Sequence, residues 1–247
     1  MYHFFVDKNQ LEKENIIIQG IDVNHIKNVL RMKPGMLIRI SLREDTSRDY
    51  ICELEQLQED YIRTRIIEID EDGTELPSKI YLFQGLPKGD KMELIIQKTV
   101  ELGVFEIIPV ATKRSVMKLD HKKEENKLKR WQMIAESAAK QSKRRRIPSI
   151  KKVMTMKEAI EYAEDFDVKL IPYENTKGMD ETKRILNQLK PETKIGIFIG
   201  PEGGFEDTEV ELAVAQDFMP ISLGKRILRT ETAGLALIAA MMFELEH

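Results

Sequence analysis

From residue 80 onward the sequence alternates short apolar runs with segments of helical periodicity. The apolar runs predict strands at 80–85, 105–110, 168–172, 195–199 and 219–223. The segments between and after them predict helices at 90–102, 123–142, 156–164, 181–189, 206–216 and 231–245. This alternation is typical of an α/β domain with a mostly parallel sheet. Apolar residues recur at helical spacing from Leu128 in the 123–142 helix, so we expect Trp131 to lie in the core rather than to stack on a base.

Residues 1–72 follow a different pattern, with β-branched or alternating runs at 3–6, 36–42, 50–57 and 61–69. One short helix fits at 22–31, with Asp22 as its N-cap. Several short strands with a single helix predict a small β-barrel. The polar, turn-rich residues 70–77 are the best candidate linker, so we predict two domains, 1–72 and 73–247.

Composition limits the kinds of site that the chain can hold. Cys52 is the only cysteine, and the four histidines lack the spacing of metal ligands. The longest apolar stretch, 233–243, is shorter than the ~20 residues of a membrane-spanning helix, and the first ten residues contain no secretory signal. We therefore expect a cytoplasmic protein that binds no metal.

The net charge of −3 conceals a strongly basic segment. Between Lys113 and Lys152 there are 15 lysines and arginines against 4 acidic residues. Such a segment indicates either a polyanionic partner or a solvated helix face.

Three loops follow predicted strands late in the chain: 172–174, 200–205 and 224–230. In parallel α/β sheets, ligands bind at the carboxyl ends of the strands. The loop Gly200-Pro-Glu-Gly-Gly-Phe205 brings bare backbone to this edge, but its glycine spacing matches neither the dinucleotide fingerprint nor the P-loop. The apolar pair Ile227-Leu228, flanked by arginines, suits a purine. These features favour an adenosine-like ligand without phosphate.

Six motifs resemble those of the bacterial RsmE family, the ribosomal RNA small subunit methyltransferase E proteins of the SPOUT class. They cover essentially the whole chain and lie at 25–35, 86–103, 114–115, 141–142, 199–205 and 223–233. Glu206 departs from the pattern, because the family often has Ser or Thr there as a helix cap.

The resemblance implies a PUA-like β-barrel that helps to bind rRNA, followed by an α/β domain whose end forms a deep trefoil knot. It also implies a homodimer that uses S-adenosyl-L-methionine to methylate N3 of one uridine in the decoding region of 16S rRNA. The cofactor residues it implies are Pro172, Tyr173, Glu174, Gly200, Pro201, Glu202, Gly203, Leu223, Gly224, Ile227, Leu228, Arg229 and Thr232.

For catalysis we consider Glu202 and Glu231 as acceptors of the N3 proton, and Arg229 as the group that orients the base or stabilises its charge. Each has an alternative role. Glu202 would hydrogen-bond to N–H groups of its own loop, Glu231 would complement a helix dipole, and Arg229 would contact phosphate. The candidate RNA contacts are Arg31, Lys33, Arg114, Lys143, Arg144, Arg145 and Arg146. Two other functions stay open, namely an RNA-binding protein with a vestigial pocket and a SPOUT methyltransferase that acts on tRNA, possibly at a ribose.

Overall fold

The computed structural model describes residues 1–117 and 120–246. The chain divides into two compact units. The first comprises Met1–Glu75 with Ala139–Ile147, and the second comprises Leu76–Ala138 with the chain from Pro148 onward. A segment distant in sequence, 139–147, thus completes the first unit, which no local pattern had indicated.

The first unit is built on a five-stranded sheet with the strand order β1-β3-β4-β5-β2. Its strands are β1 (Tyr2–Val6), β2 (Asn15–Gln19), β3 (Leu37–Leu42), β4 (Asp49–Leu57) and β5 (Tyr61–Asp70). Strand β1 pairs with β3 in parallel and the other pairs are antiparallel. Inward-facing isoleucines such as Ile16, Ile38 and Ile62 are fully buried in the core of this unit. Strand β2, a short isoleucine-rich strand at the edge of the sheet, was not predicted from the sequence.

The helix predicted at 22–31 is shorter and begins earlier. It consists of α1 (Ile21–Asn24) followed by one wide π turn over His25–Val29. Its N-cap is Gly20, at φ +74°, so the prediction of Asp22 as N-cap is wrong. Asp22 lies inside the first turn, where it is buried and accepts a 3.3 Å hydrogen bond from Lys140 Nζ.

The second unit contains a seven-stranded parallel sheet, with the order β12-β10-β11-β6-β7-β8 and with β9 also paired to β7. Its strands are β6 (Lys79–Gly85), β7 (Glu106–Ala111), β8 (Ser149–Ile150), β9 (Met154–Thr155), β10 (Val168–Pro172), β11 (Lys194–Ile199) and β12 (Met219–Ile221). Its helices are α2 (Lys91–Glu101), α3 (His121–Ser142), α4 (Met156–Tyr162), α5 (Asp180–Leu186), α6 (Asp207–Val214) and α7 (Thr230–Leu245). The last four residues of α3, from Ala139 onward, belong to the first unit. The predicted α/β class is confirmed.

The core of the second unit is rich in aromatic side chains. The rings of Phe83 and Phe198, on the adjacent strands β6 and β11, stack with their centroids 4.2 Å apart. Trp131 is fully buried, as its helical spacing predicted. Because β10 pairs with both β11 and β12 in parallel, the loops that follow these three strands leave the same edge of the sheet.

In the described part of the chain, no helix is long and apolar enough to cross a membrane. Within residues 1–117 and 120–246, no three acidic, histidine or cysteine side chains group together as a metal site would require.

Candidate active site

A cleft of about 530 Å³ opens at the sheet edge where β10, β11 and β12 end. Twelve of the thirteen residues predicted to hold a cofactor line it: Pro172, Tyr173, Glu174, Gly200, Pro201, Glu202, Gly203, Leu223, Gly224, Ile227, Leu228 and Arg229. Thr232 does not line the cleft. It is exposed on the first turn of α7, where its backbone N–H bonds to Arg229 O.

Nine further residues line the cleft without having been predicted. They are Lys91, Ile199, Gly204, Phe205, Ser222, Lys225, Arg226, Thr230 and Ala233. Most of them adjoin predicted residues in sequence and could have been found by extending the loops. Lys91 is different, because it begins α2 and reaches the cleft from a distant part of the chain. The motif at 86–103 contains Lys91, but nothing in the neighbouring sequence indicated that this side chain would line the cleft.

Two backbone segments approach each other closely beside the cleft. A Cβ atom on Gly85, at the end of β6, would lie 2.6 Å from Pro201 Cδ and 2.7 Å from Pro201 N. A Cβ on Gly200 would lie 3.1 Å from the backbone of Gly204, across the same loop. Residue 85 must therefore be glycine because a side chain there would clash with Pro201, and not because of its backbone angles.

Thr230 joins three segments beneath the cleft. The N-cap of α7 is Arg229, and Thr230 is the first helical residue. The Thr230 hydroxyl donates to Gly200 O at 2.6 Å and accepts from Gln84 Nε2 at 2.9 Å. Thr230 is buried, and it connects β6, the glycine-rich loop and α7.

Glu202 and Glu231 both face Lys91. Lys91 Nζ lies 2.7 Å from Glu202 Oε1 and 3.8 Å from Glu231 Oε2. The backbone N–H of Lys88 also donates to Glu202, at 3.1 Å. Burial pushes the pKa of Glu202 upward, but the hydrogen bonds it accepts, from Lys91 above all, outweigh burial and leave the pKa below its ordinary value. Glu202 is thus a carboxylate held by donors, which explains the one acidic residue in the glycine-rich loop.

Arg229 extends from the mouth of the cleft. Its side chain is 81% exposed, and its Nη1 lies 4.0 Å from Glu231 Oε1. An exposed guanidinium at the rim can meet an incoming anionic or carbonyl-rich group without first losing a buried partner. This placement is compatible with each role considered for Arg229.

The predicted RNA-binding residues do not form one exposed group. Arg144 and Arg145 are buried, with only 2% and 3% of their surface exposed, so an external RNA contact is wrong for these two. Arg144 pairs with Glu75, and Arg145 pairs with Asp49 and Asp70. Both arginines therefore belong to the interior of the first unit, where these acids balance their charges.

The other five predicted RNA contacts lie nearer to solvent. Arg31, Lys33 and Lys143 are exposed in the first unit, and Arg146 is half-buried. Arg114, in the second unit, is exposed and donates from Nη1 to Gly203 O at 2.8 Å. Arg114 therefore also supports the glycine-rich loop.

Comparison with known families assigns both parts of the chain. Residues 74–242 match the model of an RNA methyltransferase domain, and residues 18–67 match that of an RNA methyltransferase PUA domain. The fold, the cleft and these two matches thus define an RNA methyltransferase domain preceded by a PUA domain. This agrees with the predicted order of the two domains. The predicted knot stays a prediction.

Full-length relatives narrow this class. Ribosomal RNA small subunit methyltransferase E of Bacillus subtilis is 39% identical over 100% of this chain and 98% of its own length. The crystal structure of the Neisseria gonorrhoeae enzyme of that name, bound to S-adenosyl methionine, is 33% identical, with a TM-score of 0.83 over 98% of this chain and 96% of that one. The structure of a putative methyltransferase from Legionella pneumophila with bound SAM is 28% identical, with a TM-score of 0.83 over 97% of this chain and 96% of that one. The chain belongs to the ribosomal RNA small subunit methyltransferase E family.

Proposed function

We propose that this protein transfers a methyl group from S-adenosylmethionine to N3 of a uridine in the 16S rRNA of the small ribosomal subunit. The observation that carries the proposal is the cleft, which collects three loops of the second unit at the carboxyl edge of a parallel sheet. Full-length similarity to relatives named ribosomal RNA small subunit methyltransferase E, one of them crystallised with S-adenosyl methionine, supports it.

The residues of the cleft fit the cofactor. Its glycine-rich wall is tightly packed, because a Cβ on Gly200 would lie 3.1 Å from Gly204 and one on Gly203 would lie 3.3 Å from Arg114 Cβ. Leu223, Ile227 and Leu228 supply apolar surface for an adenine ring. The acidic first turn of α6, with Asp207 and Glu209, suits a ligand that carries no phosphate.

When bound, S-adenosylmethionine would supply an electrophilic methyl group for the new N–C bond, and its sulfur would keep the electron pair of the broken C–S bond. The residues of this chain have two tasks towards the uridine. They must accept the proton of N3, and they must stabilise the charge that spreads onto O2 and O4. Our candidates for the first task are Glu202, which lines the cleft, and Glu231, which lies 3.8 Å from Lys91 beside it. Our candidates for the second task are Arg229 and Lys91, which both line the cleft.

We further propose that the enzyme acts in the cytoplasm as a homodimer, with RNA held by the exposed basic residues of both units. Helices α2 and α7 pack together and carry the exposed apolar residues Leu94 and Phe243. Light scattering of the purified chain tests the dimer, and a monomer at micromolar concentration would refute it.

The decisive experiment uses small ribosomal subunits from a strain that lacks the gene. We expect the purified protein and methyl-labelled S-adenosylmethionine to label 16S rRNA at one site and to create a stop in primer extension, because a methyl group on N3 blocks base pairing. Labelling without a stop would place the methyl group on another atom. Labelling of tRNA alone, or no heat of cofactor binding in calorimetry, would refute the proposal.

A further inference from the structure

Lys91 and Glu202 line the cleft, and Glu231 lies beside it within 4 Å of Lys91, so three separate segments of the second unit meet here. Lys91 begins α2, Glu202 lies in the glycine-rich loop, and Glu231 lies in the first turn of α7. Lys91 Nζ is within 4 Å of an oxygen of each acid, and Arg229 Nη1 is 4.0 Å from Glu231 Oε1. Within the described residues, these two cations and two acids form one charged cluster that is linked by ion pairs of 4 Å or less.

The position of Lys91 is unfavourable by local rules. The first turn of a helix carries a partial positive charge, so acidic side chains are stabilising there and lysine is not. Lys91 is nevertheless the first residue of α2, and the oppositely charged Glu202 compensates for it from another loop. A residue that conflicts with its local context and is compensated by tertiary contacts at a cleft indicates function.

The two acids have very different surroundings. Glu202 accepts hydrogen bonds from Lys91 Nζ at 2.7 Å and from the Lys88 N–H at 3.1 and 3.3 Å, so both of its oxygens have donors. Glu231 Oε2 is buried, and no donor in residues 1–117 and 120–246 lies within hydrogen-bond distance of it. The side chain of Glu231 is 17% exposed, against 34% for Glu202. Glu231 therefore has unused accepting capacity at a largely desolvated position.

We propose that Lys91 is a positioning residue that divides the roles of the two acids, holding Glu202 as a structural anion and leaving Glu231 to accept the N3 proton of the substrate. This inference rests on the proposed function. The N3–H bond breaks, the proton passes to the Glu231 carboxylate and later to solvent, and the electron pair stays on N3 for the new bond to carbon. Lys91 contributes because it is the cation that both carboxylates share, and without it they would compete for one proton.

The test compares four variants by single-turnover methyl transfer to small subunits across pH and by calorimetry with S-adenosylmethionine. Glu231→Gln is expected to slow transfer by about 10²–10⁴-fold, the usual contribution of a proton acceptor. Cofactor affinity should change less than about threefold, because only the chemical step is affected. Glu202→Gln, which keeps its size and can still accept hydrogen bonds, should slow transfer by less than about tenfold.

Lys91→Met removes the charge and Lys91→Arg keeps it. In Lys91→Met, transfer should be lost at acidic pH and recover towards alkaline pH, whereas Lys91→Arg should retain the profile of the natural protein. A readout independent of activity is the ¹³C NMR titration of the Glu202 carboxyl, assigned with Glu202→Gln. Its midpoint should rise in Lys91→Met, because the donor that lowers the pKa of Glu202 is gone.

Lys98→Met is the matched control, since Lys98 lies on the same helix and pairs at 2.8 Å with the neighbouring Glu101 rather than with the cleft. It should leave rate and pH profile unchanged. A loss with Glu202→Gln equal to that with Glu231→Gln, or an unchanged profile in Lys91→Met, would overturn the inference. If Lys91→Met does not fold, the comparison of the two glutamine variants decides. A natural protein that neither binds the cofactor nor methylates would instead refute the proposed function.

Discussion

Thr230 Oγ1 donates a 2.6 Å hydrogen bond to the carbonyl oxygen of Gly200, which ties the start of α7 to the glycine-rich loop. Thr230→Val removes this donor and leaves a partly buried carbonyl without it. We expect unfolding free energy to fall by about 1–3 kcal/mol, the usual cost of an unsatisfied buried group, and cofactor affinity to weaken. Thr230→Ser keeps the hydroxyl and should stay close to the natural protein in denaturant titration and calorimetry. Equal stability of the valine and serine variants would contradict this account.

Two glycine substitutions test the close approach under the cleft. Gly85→Ala places a methyl group 2.6 Å from Pro201 Cδ, and the rigid ring cannot move aside. We expect a loss of about 1–3 kcal/mol, as for other overpacked sites, together with weaker cofactor binding. Gly234→Ala is the control in α7, since its nearest neighbour, Ile199 Cγ1, is at an ordinary 3.6 Å. It should gain up to about 1 kcal/mol from helix propensity, so a destabilised Gly234→Ala would argue against the packing described.

The buried position of Arg145 predicts an effect on folding rather than on RNA binding. Arg145→Met leaves Asp49, which is fully buried, without one of its two cations, so we expect a loss of about 3–5 kcal/mol in unfolding free energy. The exposed residue Lys143 offers the comparison, and Lys143→Met should change stability by less than about 0.5 kcal/mol. Urea titration measures both. A stable Arg145→Met variant with impaired RNA binding would instead favour a direct RNA contact for this residue.

His3 makes the first unit sensitive to acid. Burial is the main cause that lowers the pKa of His3 from its ordinary value of 6.5 to about 4, against the opposing charge of Asp49. Between these values the unfolded chain binds a proton that the folded chain does not, so stability falls as pH falls from 6.5 to 4. The full loss is about 3 kcal/mol, at about 1.4 kcal/mol per pH unit. Denaturant titration at several pH values should show a flatter dependence in His3→Gln. An identical slope in that variant would show that His3 is not responsible.

Salt dependence separates the exposed basic residues from the buried ones. RNA affinity should fall steeply with rising salt, because lysine and arginine side chains that bind phosphates release counterions. Replacing exposed Arg31 and Lys33 together with glutamine should reduce the log–log slope by about 1–2, because each side chain that neutralises a phosphate adds about one unit. Filter binding at a series of salt concentrations measures this slope. An unchanged slope would remove both residues from the RNA surface.

Local patterns predicted most of the fold because they depend on residues close in sequence. The helical spacing around Trp131 and the apolar run at 195–199 were correctly interpreted, since a single element determines which face of it is buried. The errors occurred where local signals compete. At 21–31, Gly20 starts the helix before Asp22 can cap it, and a π turn replaces regular helix.

The glycine-rich loop, and the position of its cleft at the carboxyl edge of the sheet, could be predicted from the sequence by itself, since strand and loop are adjacent along the chain. Only the tertiary structure decided that Lys91 meets Glu202, 111 residues away, and that Arg145 is interior while Lys143 is exposed. The physical reason is that ion pairing and burial depend on which distant segments pack against each other, and this is decided by how the strands and helices pack. A run of basic residues in the sequence is the same whether its side chains face solvent or a buried aspartate.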